Sequence, residues 1–163
     1  MKQLLIIRHA KSSWDFSTLN DFDRPLNARG HHDTPMMAKR VFDKKIIIDA
    51  FISSTAKRAL NTAEYFAEAY GFNKNNIIKK PELYHASADE FYKVIKNLDD
   101  QFNSIAIFSH NPGITDFVNE LTKTKIDNIP TCGVFAVKAD INSWNDFAEA
   151  KKEFLFFDYP KAV

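Results

Sequence analysis

Two residues at the end of an apolar run carry the first sign of chemistry. Leu4-Leu5-Ile6-Ile7 gives way abruptly to Arg8-His9-Ala10. A buried strand gains nothing for its core by delivering a guanidinium and an imidazole to its tip, so the pair reads as the start of a site. Arg offers a planar fork that fits phosphate or carboxylate, and His can act as nucleophile, acid or base. The same residue types recur after two later apolar runs. Arg58 lies within Ser53-Ser54-Thr55-Ala56-Lys57-Arg58-Ala59-Leu60-Asn61-Thr62-Ala63-Glu64, and His110 within Ser109-His110-Asn111-Pro112-Gly113. Two cations and two imidazoles gathered around one anion would suit phosphate chemistry.

The elements that would have to gather them alternate in type. Strand patterns are expected at Gln3–Ile7, Ile46–Ile52, Ser104–Phe108 and Gly133–Lys138, with a short one at Ile77–Lys79 and an antiparallel edge strand at Glu153–Phe157. The run Ser104–Phe108 is continuous enough to be buried on both faces. Lys57–Tyr70 predicts a helix with Leu60, Ala63, Ala67 and Tyr70 on one stripe and Gly71 as its C-cap. Ser87-Ala88-Asp89-Glu90 reads as a capping box opening a helix that buries Phe91, Val94, Ile95 and Leu98. Asn111-Pro112 reads as N-cap and first residue of a helix burying Ile114, Phe117, Val118 and Leu121. Asn27–Lys44 also has helical character, with Pro35 expected to kink or restart it. This alternation predicts an α/β fold with a mostly parallel sheet and helices on both faces. In such sheets ligands bind beyond the carboxyl ends of the strands, where Arg8, His9, Arg58 and His110 all fall.

Composition narrows the function classes. The 163 residues fit one domain, 1–163. With 22 basic and 21 acidic residues the net charge is +1, and no basic stripe marks a nucleic-acid partner. Apolar runs are far shorter than a membrane span, and the N-terminus carries no secretory pattern. A single cysteine, Cys132, makes no internal disulfide, which fits a reducing, cytoplasmic setting. No heptad pattern points to an oligomer, so a monomer is the expectation.

Together these motifs resemble the histidine phosphatase superfamily, the phosphoglycerate mutase-like fold. Arg8-His9-Ala10 is similar to that family's Arg-His-Gly/Ala signature, Arg58 sits in a Ser-x-x-x-Arg-Ala-x-x-Thr-Ala stretch, and His110 follows a later strand. Within the superfamily the SixA-type phosphohistidine phosphatases are the closer resemblance. It rests on Arg8-His9-Ala10-Lys11-Ser12-Ser13-Trp14, Asp23-Arg24-Pro25-Leu26-Asn27-x-Arg29-Gly30, Glu82-Leu83-Tyr84-His85-Ala86-Ser87 and His110-Asn111-Pro112-Gly113. The resemblance implies a three-layer α/β/α sandwich without a cap domain. It also implies a metal- and cofactor-independent phosphatase that forms a covalent phosphohistidine on His9. Arg8, Arg58 and His110 would hold the phosphoryl oxygens. The implied substrate is phosphohistidine on a protein, such as a phosphorelay domain; the alternative is a small phosphorylated molecule handled by a phosphomonoesterase or mutase-like enzyme. A non-catalytic phospho-ligand binder is disfavoured, because it has no need of a nucleophile.

Other residues admit a functional and a plainer reading. Glu82 is the candidate general acid by chain order, or else a solvated carboxylate. Ser12 or Ser13 is a candidate neutral phosphate donor, since Asp15 stands where mutases carry a donating Asn and a carboxylate there would repel phosphate. Arg24 and Arg29 read chiefly as an ion-pair turn with Asp21 and Asp23, and Lys11 as either pocket rim or solvated. His31 and His32 diverge on a helix and do not converge on a metal. His85 reads as a polar loop residue, Trp14 and Phe16 as packing under a loop, and Cys132 as an inert thiol.

Overall fold

The computed structural model describes residues 1–15 and 20–162; Phe16 lies outside the described residues. Six strands form one sheet: β1 (Lys2–Arg8), β2 (Ala50–Ser53), β3 (Ile78–Lys79), β4 (Ser104–Ser109), β5 (Val134–Ala139) and β6 (Lys152–Asp158). Their spatial order is β3-β2-β4-β1-β5-β6. The first four in that order run parallel, while β5 is antiparallel to β1 and β6 antiparallel to β5. Helices α1 (Ala28–Asp43), α2 (Lys57–Ala69), α3 (Ala88–Lys96) and α4 (Gly113–Leu121) complete the regular elements among the described residues, with short 3-10 turns between them.

Strand alternation explains the continuous apolar runs. On β1, Leu4 and Ile6 join one buried cluster with Phe91, Val94 and Ile95 of α3 and Ile114, Phe117 and Val118 of α4. Leu5 and Ile7 point the other way, into a cluster with Met37 and Val41 of α1 and Ala63 and Phe66 of α2. Helices therefore cover both faces, which makes a three-layer α/β/α sandwich, and no inserted cap domain is present among the described residues. Among the described residues no helix is long and apolar enough to cross a membrane.

Four local expectations need correction. The second strand was expected from Ile46 but pairs only from Ala50. The Asp49 carboxylate instead accepts the N–H groups of Asn103 and Ser104 at 2.8 and 3.0 Å, and the Ile47 carbonyl accepts the Ser104 hydroxyl, so this stretch braces the start of β4. Pro35 does not restart α1: the proline is exposed, and Met37, Ala38 and Val41 beyond it stay buried and hold the helix on the sheet. Ser87 stands at the N-cap of α3 without a side-chain cap hydrogen bond, so the capping box is not formed, and Leu98 is buried just past the helix end. The N-cap of α4 is Pro112, one residue later than expected, while Asn111 Oδ1 accepts from the Thr115 hydroxyl at 2.7 Å.

The stripe of α2 is also rotated from the expected one. Arg58, Ala59, Thr62, Ala63, Phe66 and Ala67 are buried, whereas Leu60 is only partly so. That rotation carries Arg58 inward. The helix ends where expected, with Gly71 at φ 66° and bonds from Gly71 N–H to Glu68 O and Phe72 N–H to Ala67 O, a Schellman arrangement.

The end of β6 is tied down by one guanidinium. Arg40 pairs with Asp158 at 3.0 Å and donates to the carbonyls of Tyr159 and Ala162 at 3.0 and 3.4 Å. Arg40→Ala removes all three contacts and leaves the mostly buried Asp158 with the Tyr159 N–H at 2.8 Å and, as its one cation, the distant Lys44. The expected outcome is a loss of about 1–3 kcal/mol in urea unfolding, with faster amide exchange confined to the C-terminal residues.

Candidate active site

The carboxyl ends of β1, β2 and β4 bring the chemistry together. Beyond β1 the chain is held on several sides: His9 N–H donates to Ser109 O, and Cys132 N–H to the carbonyls of Arg8 and His9, each at 3.1 Å. Ala10 N–H donates to the Thr62 hydroxyl at 2.9 Å, which itself donates to Arg58 O at 2.8 Å. Thr62 thus locks the loop after β1 to α2. The stretch around Arg58 includes it as a motif position without a role; its place four residues after Arg58, on the same helical face, is the signal for that role. Gly30 serves the same loop, since a Cβ there would stand 2.2 Å from Lys11 O.

His9 Nδ1 lies 2.7 Å from Ala10 O. A carbonyl only accepts, so Nδ1 carries the proton and Nε2 keeps its lone pair. Arg58 Nε approaches that nitrogen at 3.4 Å, and the His110 ring centroid lies 5.2 Å from that of His9. Burial pushes the His9 pKa well below its ordinary value, and the charges of Arg58 and Arg8 add to the effect. Burial, and then Arg58, also brings His110 down to about 3. Both rings are therefore neutral at physiological pH, and the His9 Nε2 lone pair, engaged only by the long 3.4 Å hydrogen bond from Arg58 Nε, can act without waiting for deprotonation.

Those depressed values have a consequence for stability. The unfolded chain takes up protons on these histidines below about pH 6.5, while the native state takes one on His110 only near pH 3. Each buried histidine therefore costs about 1.4 kcal/mol of stability per pH unit as pH falls below about 6.5. The urea midpoint is expected to fall from pH 7 to pH 5, and His9→Ala is expected to flatten part of that slope. A midpoint that stays level over this range would contradict neutral native histidines.

Arg58 is buried and has an anionic partner that the sequence did not reveal. Its terminal nitrogens donate to Asp21 O at 2.6 Å and Asp21 Oδ2 at 3.0 Å. Tyr84 O–H donates to the same Oδ2 at 2.6 Å, and Arg24 takes Oδ1 with Nε and Nη2 at 3.2 and 3.0 Å. Burial acts to raise the Asp21 pKa, but the hydrogen bonds from Tyr84 and Arg58 and the charge of Arg58 outweigh it and hold the carboxyl well below the usual range. The expected ion pair of Arg24 with Asp21 is present, and its reach into Arg58 and Tyr84 is the part that spacing along the chain could not show. Arg29 pairs instead with Asp33 at 3.3 Å.

Arg8, His9, Asp21, Arg24, Arg58 and His110 line a cavity of about 330 Å³ together with Lys11, Ser12, Trp14, His85, Asn111 and Thr131. Size does not select it: depressions of about 550 and 980 Å³ lie beside α2 and between α4 and β6. Neither of those pairs a histidine with a guanidinium. Among the described residues, two buried nitrogens of the site have no hydrogen-bond partner, Arg8 Nε and His110 Nδ1. Unpaired buried polar groups are rare in folded proteins, and their clustering at one cavity is consistent with a catalytic role there.

The remaining candidates fall on either side of the cavity wall. Ser12 lines it, its oxygen accepting from Arg24 Nη1 at 2.9 Å, which leaves its proton to donate. Glu82 does not: it is exposed on the 3-10 turn Pro81–Leu83 and absent from the lining. Asp15 is exposed and likewise outside the lining. Trp14 is not packed under a loop but is 73 % exposed, stacked on the Arg24 guanidinium at 3.5 Å. His85 lines the cavity mouth with φ 59°, its ring 4.0 Å from that of Tyr84. Cys132 is buried, and burial pushes its thiol up to about 12. His31 is paired with the Tyr65 hydroxyl at 2.7 Å and His32 faces Asp33, and no metal-holding group of three or more such side chains occurs among the described residues.

Comparison with known proteins gives the same direction. The model of the histidine phosphatase superfamily (branch 1) matches residues 4–93. An uncharacterised chloroplast protein of Arabidopsis thaliana is 28 % identical over 153 residues, covering 89 % of this chain and 70 % of that protein. A solved structure from Agrobacterium tumefaciens, provisionally named the phosphohistidine phosphatase SixA, superposes with a TM-score of 0.81 at 22 % identity, covering 98 % of this chain and 99 % of that one. The protein histidine phosphatase SixA complexed with tungstate superposes with a TM-score of 0.81 at 23 % identity, covering 97 % of each chain. At such identities these structures establish a shared fold.

Proposed function

The chain belongs to the histidine phosphatase superfamily, and from that premise we propose that it is a metal-independent phosphatase acting on protein-borne phosphohistidine. The observation that carries this reading is the state of His9: a buried, neutral ring whose Nδ1–H is spent on Ala10 O and whose Nε2 lone pair stands among guanidiniums. Nε2 attacks phosphorus in line, forming an N–P bond. The bond from phosphorus to the leaving nitrogen breaks, its electron pair returns to that imidazole, and solvent supplies the proton. Water then attacks the phosphoryl group, Nε2 recovers its electron pair, and inorganic phosphate leaves. Arg8, Arg58 and His110 hold the equatorial oxygens and stabilise the spreading charge.

The leaving group decides between nitrogen and oxygen substrates. A phosphoester needs a positioned acid to protonate its departing oxygen, whereas an imidazole nitrogen protonates readily. Asp21, the one carboxyl in the cavity lining among the described residues, is held ionised by Tyr84, Arg58 and Arg24, and Glu82 stands outside. This favours a phosphoramidate. The SixA names of the structural relatives point the same way.

The test offers a phosphohistidine-bearing protein, free phosphohistidine and a panel of phosphoesters to the purified protein. The expected result is a kcat/KM for the phosphohistidine protein that exceeds every ester by orders of magnitude. Glu82→Gln is expected to leave it nearly unchanged. A higher value for an ester, crippled by Glu82→Gln, would replace this reading by the phosphomonoesterase one.

A further inference from the structure

We propose that Ser54 sets the tautomer of His110, so that Nδ1–H of this ring is the hydrogen bond given to the transferring phosphoryl group. The proposal rests on the phosphoryl-transfer reading of the site and adds a positioning residue that the reading does not contain. Ser54 follows β2 directly, is fully buried, and is fixed by a bond from its own N–H to Phe108 O at 3.0 Å. Its hydroxyl oxygen lies 2.8 Å from His110 Nε2 and accepts the Ala56 N–H at 3.2 Å.

Counting donors and acceptors fixes the direction of the Ser54–His110 bond. A buried hydroxyl must place its single proton, and among the described residues the one acceptor in contact with Ser54 Oγ is His110 Nε2. If Nε2 carried the proton instead, the Ser54 O–H would be a buried donor with nowhere to go. Ser54 therefore donates, Nε2 accepts, and the proton of the neutral ring sits on Nδ1. That nitrogen is one of the two buried donors without a partner, the other being Arg8 Nε. Both belong to residues lining the cavity.

The arrangement gives the two histidines opposite duties from the same tautomer. In His9 the Nδ1–H is consumed by Ala10 O, so the ring presents a lone pair to phosphorus. In His110 the lone pair is consumed by Ser54, so the ring presents a donor to a phosphoryl oxygen. Burial and Arg58 keep His110 neutral, so protonation is not available to make it a donor. Without Ser54 the ring is free to adopt the Nε2–H form that isolated histidine prefers, and Nδ1 would then turn a lone pair toward an anion.

The experiment is long-range proton–nitrogen NMR of the protein with nitrogen-15-labelled histidine at neutral pH, His110 being assigned by its loss in His110→Ala. The wild type is expected to show His110 protonated at Nδ1, with the Nδ1–H signal moving on addition of inorganic phosphate. Ser54→Ala is expected to shift His110 toward Nε2–H and to lower kcat on phosphohistidine protein by about 10²-fold, the loss typical of one oxyanion donor, with a smaller change in KM. Ser54→Thr, which keeps the hydroxyl, is expected to restore the tautomer. An Nε2–H tautomer in the wild type, or wild-type kcat in a folded Ser54→Ala, overturns the proposal. The wild-type spectrum decides even where a variant fails to fold. It also separates the two readings: ester preference in the substrate panel would revise the function and leave the tautomer standing, whereas an Nε2–H ring would remove the Ser54 role whatever the substrate.

Discussion

His9→Ala is expected to abolish turnover, with kcat on phosphohistidine protein reduced on the order of 10⁴-fold or more and no radiolabelled phosphoenzyme trapped in acid-free quench. The size of the effect follows from what remains. Arg8, Arg58 and His110 still line the cavity, so inorganic phosphate is expected to bind His9→Ala, and isothermal titration measures that directly. Truncating the ring removes one long hydrogen bond, from Arg58 Nε at 3.4 Å, and a bond from Nδ1 to the neighbouring carbonyl, while Arg58 keeps its two contacts with Asp21. Retained binding with lost chemistry separates a missing nucleophile from a collapsed site. Full activity in His9→Ala would refute the assignment, and loss of phosphate binding as well would make His9 a structural residue.

Much of this site was legible along the chain because its members sit at strand ends. An apolar run such as Leu4–Ile7 can be recognised without knowing its neighbours, and the residue after it is placed at the sheet edge by geometry alone. Arg8, His9 and His110 were found this way, and Arg58 through its helix start. The sheet itself was legible for the same reason, apart from the few residues of β2 that Asp49 diverts to β4. What stayed hidden depends on contacts across the sequence. Asp21 reaches Arg58 over 37 positions and Tyr84 over 63, and nothing near Asp21 distinguishes it from Asp23 until the turn has folded. Glu82 was favoured by chain order, which fixes a neighbourhood and not a direction, and its side chain lies outside the cavity. Ser54 and Thr62 are the Ser and Thr of the stretch around Arg58, yet their roles stayed hidden because a buried hydroxyl acts only through the partner it meets.

Arg58→Ala is the second large expected loss, about 10³-fold in kcat/KM, and its origin can be divided. Part is the missing donor to the phosphoryl group, worth about 10²–10³ in comparable sites. The rest comes from Asp21. In the native protein its carboxylate is neutralised by Arg58 and Arg24 and bonded to Tyr84. Without Arg58 an ionised carboxylate stands in the cavity lining with less compensation, in the space that a phosphoryl dianion must enter. Asp21→Asn removes that charge while keeping an oxygen for Tyr84. The double variant Asp21→Asn/Arg58→Ala is therefore expected to be more active than Arg58→Ala alone, with a coupling of about 0.5–3 kcal/mol between the two positions. Asp21→Asn by itself is expected to lower activity moderately, because Arg58 then loses the carboxylate that orients it. If the two losses simply multiply, Asp21 does not act through Arg58, and its place in the cavity is explained by the Arg24 turn alone. Recovery in the double variant instead makes the Asp21–Arg58 pair the unit that tunes how strongly the site attracts its anion.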